Sequence, residues 1–383
     1  MKITGIICEY NPFHLGHHKQ IRRIREQNPN GVIVCLMSGN VVQRGMPAIF
    51  DKTYRAKAAV SCGADLVLEL PVTAALSSAE GFAAEGVRIL SCFCDALSFG
   101  AEDADTKLLM DIAKALLSPE FVVHLKDRLS EGLSFPAARQ KALEQLGING
   151  DVLNKPNNIL AIEYCKAILS QKANINPEPI FRDGNYHDTI ADTSNPSASS
   201  VRFLIEKGET WEKFIPQDSA KCFENAAVHT LQNAENAILY RLKTMTDNEF
   251  EALPYGSEGL WRKLMKNARE YLTLEQIITA TKSKRYTRTR LDRMIMCAYL
   301  GLTAEMLRSP APYTRVLALN DTGRDILLKA RESGRFPNIG ETIDNPYQII
   351  ENRCDDLFEL FSETPSAIKR RICYINTNHN SKI

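Results

Sequence analysis

Three histidines fall within five residues in EYNPFHLGHH (Glu9–His18), behind a proline and with a glycine between the first two. Three readings compete for such a cluster. A metal would take His14, His17 and His18, but no helical HExxH and no obvious further ligand accompanies them. An ordinary loop would satisfy each ring with backbone groups. A phosphate would be held by His14 and His17, which share a face at a helix start because they lie three residues apart. Gly16 would let the backbone approach a ligand closely. The helix N-terminus would add unpaired N–H groups and partial positive charge. An apolar strand pattern precedes the cluster, which favours phosphate, and imidazole donors there would stabilise a phosphoryl group as its charge grows. His18 would point about 100° away from the other two.

The elements that must position these residues alternate. KITGIIC (Lys2–Cys8), GVIVCLM (Gly31–Met37), ADLVLELP (Ala64–Pro71) and DALSFG (Asp95–Gly100) are short apolar runs that predict buried strands. Helical patterns from His14 to Glu26, from Asp51 to about Ser61 and in SSAEGFAAEGVRILSCF separate them. This rhythm predicts an α/β fold with a Rossmann-like parallel sheet covered on both faces. Two amphipathic helices are expected as an insertion at about residues 105–150, then a helix in KPNNILAIEYCKAILS. A fifth strand in NPEPIFRDG (Asn176–Gly184) should end at Arg182. The helix in SNPSASSVRFLIEKG should be capped by Ser197 or Ser199. Ligands of such sheets bind beyond the carboxyl ends of the strands, where Asn11–His17, Ser38–Gly45, Gly100 and Arg182 all fall.

From Trp211 to about Ser309 the pattern is helical. Within it TKSKRYTRTRLDRM (Thr281–Met294) carries Lys282, Lys284, Arg285, Arg288, Arg290 and Arg293, with Tyr286 inside the cluster. A loop followed by a helix from near Thr287 fits best, with Arg290 and Arg293 on one face. Such a cluster suits a phosphate backbone with one stacking ring, although a charge run is commonly a solvated face. Tyr313–Gly340 reads as strand, helix and short strand, a small α/β element expected on the helical region. The expected division is 1–208 and 209–383.

Bulk composition narrows the class. The 383 residues are 44% hydrophobic with net charge +1, so nucleic-acid binding would need a local patch. Ten cysteines without a CxxC pair suggest reduced buried thiols. The N-terminal apolar run is short for a signal peptide, and no stretch reaches the roughly 20 apolar residues of a membrane span. A soluble, cytoplasmic protein without membrane contact is expected, and an oligomer stays open.

NPFHLGHH resembles the HIGH-type signature of nucleotidyltransferases and class I aminoacyl-tRNA synthetases, and PSASSVR (Pro196–Arg202) resembles the second nucleotidyltransferase motif. There Ser199 takes the usual threonine place and Ala198 replaces a usual serine. With MSGNVVQRGMPAIFDKTYRAKAAVSCGADLVLELP, LSFGAE, KPNNILAIEY and SKRYTRTRLDRM, the chain is similar to the tRNA(Met) cytidine acetate ligase family from residue 3 to about 340. The resemblance implies ATP-dependent acetylation of the wobble cytidine of elongator tRNA(Met), in its anticodon region, to N4-acetylcytidine. It implies ATP along Ile7, Cys8, Glu9, Tyr10, Asn11, Pro12, Phe13, His14, Leu15, Gly16, His17, His18, Lys19 and Gln20, and at Gly100, Asn157 and Arg182, with Asn158 the alternative to Asn157. The catalytic candidates are His14, His17, Ser199, Ser200 and Arg202, set to neutralise charge as acetate attacks the α-phosphorus. Mg²⁺ is expected with the phosphates and no all-protein metal cage. Asn40, Gln43 and Arg44 are acetate candidates by position. The competing expectations are an adenylyltransferase for a small molecule, which has no need of the basic segment, and a non-catalytic RNA- or metal-binding protein.

Overall fold

A computed structural model of the chain describes residues 1–182, 196–283, 285–332, 346–365 and 372–375. Five parallel strands form as expected: β1 (Ile3–Cys8), β2 (Val32–Ser38), β3 (Leu66–Leu70), β4 (Ala96–Ala101) and β5 (Asn176–Phe181). Their spatial order is β5-β4-β1-β2-β3. The order therefore reverses between β1 and β4, and the crevice beyond their carboxyl ends is where such sheets take ligands.

The near-continuous apolar runs follow from burial on both faces. All seven residues of β2 are buried. Along β1, Ile6 joins one core layer, packed under α1 (Leu15–Gln27) and α2 (Lys52–Ser61). Ile7 joins the opposite layer, beneath α3 (Ala79–Leu90) and α4 (Pro156–Gln171). The insertion holds three helices, Thr106–Leu116, Pro119–Ser130 and Phe135–Gln145, where two were expected. Ser118 caps the second from its side chain with Pro119 at the first position, a stop-and-start signal inside one continuous amphipathic pattern.

The helical region packs in a further core that includes Leu264, Ile277, Ile278 and Leu291 and also takes in Val41, Val72 and Leu76. The expected α/β element on that region is corrected by the structure. Val316–Leu319 (β6) instead pairs antiparallel with β3, and Cys373–Tyr374 (β7) pairs with β6. The sheet thus has seven strands among the described residues, and the chain returns to it beyond residue 209. A Cβ on Gly323, in the helix Asp321–Glu332, would overlap the carbonyl of Asp65, which shows how closely that helix meets the start of β3. The short strand expected near residue 340 lies outside the described residues.

Two buried charge arrangements tie these layers. Lys52 bonds Glu69 at 2.8 Å and Asp355 at 2.5 Å, while Arg315 reaches Glu69, Glu351 and Asp355 at 2.7–3.1 Å. Glu351 and Asp355 belong to the helix Pro346–Phe358, which this network fastens to β3 and α2. Arg55 of α2 is fully buried and donates to the carbonyls of Glu9, Ser38, Gly39 and Phe50. Burial lowers its pKa to about 10, so the guanidinium remains charged at neutral pH. Lysine cannot reproduce this planar fork and would leave buried carbonyls unpaired. Arg55→Lys should cost about 3 kcal/mol or more in urea unfolding, and an unchanged midpoint would contradict this role.

Candidate active site

His14 is the N-cap of α1, with extended backbone. Its Nδ1 accepts the Gly16 N–H at 3.0 Å, and the Nδ1 of His17 accepts the His14 N–H at 3.3 Å. Both tautomers are thereby set: each neutral ring carries its proton on Nε2. The rings stack with centroids 3.7 Å apart. His14 Nε2 is buried and has no hydrogen-bond partner among the described residues, so it is a donor held ready for an acceptor.

Burial, then Arg182, then Arg202 push the His14 pKa down to about 3. Burial, His14 and Arg182 hold His17 well below the ordinary imidazole value. These are neutral donors at pH 7, not cations. Gly16 has a different use from the one its position suggests. A Cβ there would lie 2.9 Å from His14 Cε1, so the glycine makes room for the imidazole to fold back over its own helix start. His18 is half-buried and interacts with Arg22 and Asp218, away from the pair.

The N-terminus of a second helix, α5 (Ala198–Lys207), comes close, and the Pro196 carbonyl lies 3.7 Å from the place of a Gly16 Cβ. Neither α1 nor α5 has an acidic residue in its first turn. Ser197 is the cap, accepting the Ser200 N–H at 3.0 Å. Ser200 is fully buried, and its hydroxyl turns back to the Ser197 carbonyl at 2.9 Å. The hydroxyl expected to meet a phosphate is thus used inside the helix cap. Arg202 bonds the Asn11 carbonyl at 2.7 Å and the Ser199 hydroxyl at 3.2 Å.

An open cleft runs beside these groups. Glu9, Asn11, Arg44, Asn157, Arg182, Ser197, Ser199, Arg202 and Glu206 give it polar walls. Val42, Met46, Pro47, Ile49 and Leu231 give it an apolar one. The two histidines do not line the open part of the cleft. They adjoin it through Arg182, Arg202 and Pro196, which do. Arg182 follows β5 and touches Asn157 Oδ1 at 3.4 Å. A Cβ on Gly100 would lie 3.3 Å from Arg182 Cδ, so that glycine gives the arginine its passage.

Asn157 and Asn158 are placed differently. Asn158 is fully buried and spends its amide on Asp103 and the Val152 carbonyl. Asn157 lines the cleft, held by Glu102 at 2.7 Å. Within the Ile7–Gln20 run, Ile7, Tyr10 and Phe13 belong to the core, so only their backbone is available to a ligand. Gln20 reaches across to Ser98. Asn40 accepts from Lys52 N at 2.7 Å and donates to Asp51 and Asp355, which assigns it to the buried network, not to acetate. Gln43 donates to the Ser77 carbonyl at 3.3 Å, and Arg44 stands exposed on the cleft.

Sequence reasoning missed Glu102, Arg55 and the wall at His229–Leu231. Glu102 directly follows β4 and accepts the N–H groups of Asn157 and Asn158 at the start of α4. A carboxylate at a strand end was its only signal. Arg55 stood out solely as a charge among the alanines of α2.

In the basic segment, a turn at Ser283–Tyr286 leads to a helix at Arg288–Leu300 (α6) capped by Thr287, as expected. Tyr286 corrects its expected role: the ring is buried and its hydroxyl bonds the Glu258 carbonyl at 2.6 Å, so it offers no stacking face. Arg288 pairs with Glu275 and Asp292. Arg290 holds the Tyr255 carbonyl and the Ser257 hydroxyl. Arg293 lies over the Tyr255 ring at 4.9 Å. Lys282 and Arg285 are exposed, and Lys284 lies outside the described residues.

A strand-to-helix HxGH turn at the point of strand-order reversal, facing a second helix N-terminus and two arginines, defines a HIGH-type nucleotidyl transferase. The family described as HIGH Nucleotidyl Transferase matches residues 1–370. Curated proteins named tRNA(Met) cytidine acetate ligase align over most of both chains. The one from Clostridium acetobutylicum is 35% identical, covering 88% of this chain and 90% of its own. That from Clostridium perfringens is 37% identical, covering 88% and 89%. The crystal structure of apo Thermotoga maritima TmcAL superposes with a TM-score of 0.89 at 28% identity, covering 98% of this chain and all of that one. The same protein bound with alpha-thio ATP gives 0.85 at the same identity and coverage. The chain belongs to the tRNA(Met) cytidine acetate ligase family.

Two outcomes are expected. Gly16→Ala should displace the His14 ring and weaken ATP binding by about tenfold or more while the helix survives, since alanine favours helix; unchanged titration calorimetry would contradict this. A histidine held neutral by the fold contributes stability that is complete above its unfolded value, 6.5, and is lost as pH falls toward about 3. His14→Gln should therefore lose less urea stability than the parent between pH about 6.5 and about 4. Parallel losses would show that His14 is not the titrating group.

Proposed function

We propose that the chain uses ATP to activate acetate and acetylates the wobble cytidine of elongator tRNA(Met). The observation that carries this reading is the convergence of two helix N-termini, Arg182, Arg202 and two neutral Nε2–H imidazoles at the sheet's switch point. Such preorganised donors suit a triphosphate whose charge redistributes during reaction. An acetate oxygen attacks the α-phosphorus, pyrophosphate leaves, and acetyl-adenylate remains. The exocyclic amine of cytosine then attacks the acetyl carbon, AMP departs, and the amine loses a proton.

We assign Arg182 and Arg202 to the phosphates, with Ser199 beside them. Among the described residues the Arg182 side chain makes one long hydrogen bond, to Asn157, which a phosphate would readily replace. Asn157 is assigned to the base or ribose, with Glu102 fixing its amide. Ser200 is assigned to holding the α5 start in shape. Among the described residues, no group of three His, Cys, Asp or Glu is placed to hold a metal. Mg²⁺ arriving with ATP would offset the charge of the phosphates.

Residues 1–208 are read as the part that handles ATP and acetate. The helical portion of 209–383 is read as the part that faces the anticodon region. Lys282 and Arg285 are its leading phosphate contacts, because Arg288, Arg290 and Arg293 already serve intramolecular partners. No helix among the described residues is long and apolar enough to cross a membrane.

The test combines ATP, labelled acetate and tRNA(Met), and follows acetate-dependent pyrophosphate exchange and labelled cytidine. Both should appear. Exchange without cytidine labelling would favour a small-molecule adenylyltransferase, and neither signal would overturn the reading. In the same assay Lys282→Ala/Arg285→Ala should weaken tRNA binding about tenfold and leave exchange at the parent rate.

A further inference from the structure

Glu9 is out of place in a cleft built for an anion. It stands at the carboxyl end of β1, lines the same cleft as Asn11, Arg182, Ser199 and Arg202, and repels the phosphates those groups attract. A half-buried carboxylate there suits a ligand that donates to it. Its orientation is fixed: Oε1 accepts the Gln43 N–H at 2.8 Å, in the turn between Val41–Val42 and Met46–Pro47. Among the described residues no hydrogen bond engages its second oxygen. Among the described residues the cleft has one other carboxylate, Glu206, which is exposed. The same cleft is lined by the apolar Val42, Met46, Pro47 and Leu231, a surface for one face of a planar ring.

We propose that Glu9 receives the target cytosine, accepting a hydrogen bond from its N4 amine and then taking that amine's proton. The inference rests on the acetylation reading above. The chemistry needs such a group, because the N4 lone pair is delocalised into the ring and the amine is a weak nucleophile. As the N4–C bond forms and the acyl C–O bond to phosphate breaks, AMP leaves with the electron pair. The proton released from N4 passes to Glu9 Oε2. The same carboxylate selects the base: it accepts from the amine of cytosine and would face the O4 acceptor of uracil, which it repels.

The test separates the two steps. With Glu9→Gln, which keeps the shape and the Gln43 contact, transfer from preformed acetyl-adenylate to tRNA should fall about 10²-fold or more. Acetate-dependent pyrophosphate exchange should fall at least about tenfold less than transfer. Glu9→Asp, which retains the charge, should recover part of the transfer rate. In competition, tRNA carrying uridine at the target position should bind the parent poorly, and Glu9→Gln should narrow that preference, since its amide can donate to O4. Equal loss of exchange and transfer would place Glu9 in the ATP step and overturn the proposal, as would transfer at the parent rate. A parent enzyme lacking both activities would instead defeat the acetylation reading itself.

Discussion

The site depends on one buried cation. Arg55 donates to carbonyls at Glu9, Ser38, Gly39 and Phe50, so it gathers the loops leaving β1 and β2 and the entry to its own helix. Carbonyls at strand ends lose their sheet partners and need donors if they are to be buried. One guanidinium supplies them all at once, which neither water nor a lysine could do in that geometry. Every cleft residue from Glu9 to Ile49 hangs from that arrangement. Its loss would therefore be felt as disorder of the site as well as lower stability.

The electrostatics of the site follow from how deeply it is built. Burial keeps both histidines uncharged, with Arg182 and Arg202 adding to it at His14 and His14 and Arg182 at His17, leaving the two arginines as the positive charge and the imidazoles as fixed dipoles. Dipoles locked by backbone bonds need little reorganisation when charge develops on a phosphate, which is the economy that preorganised sites exploit. The buried Lys52, Glu69, Arg315, Glu351 and Asp355 network serves a different end. It fixes the late helix Pro346–Phe358 to the early sheet, so the chain closes on itself across more than its helical middle.

Much of this was legible in the sequence, and the failures have physical causes. The five parallel strands announced themselves because burial on both faces demands uninterrupted apolar runs. The HxGH turn was legible because glycine, histidine spacing and a preceding strand agree. Tyr286 misled because a tyrosine among arginines looks exposed, whereas its hydroxyl found a backbone carbonyl and allowed the ring into the core. Ser200 misled because a serine at a helix start has two uses, and capping consumed it. β6 could not be placed from local pattern: pairing with a strand some 250 residues earlier leaves no nearby trace, as the distance from Leu66 to Leu319 shows. Arg55 and Glu102 act through contacts distant in sequence and carry no motif.

The small hairpin at Val41–Pro47 has a mechanical meaning. Its glycine tip, Gly45, sits against the backbone of Asp292 and Arg293 in α6 so tightly that a Cβ would overlap it. Its neighbouring Gln43 amide holds Glu9. The hairpin is thus a short lever with one end on the helix of the basic segment and the other on the cleft carboxylate. A displacement of α6 at Gly45 would therefore shift the Gln43 N–H that orients Glu9.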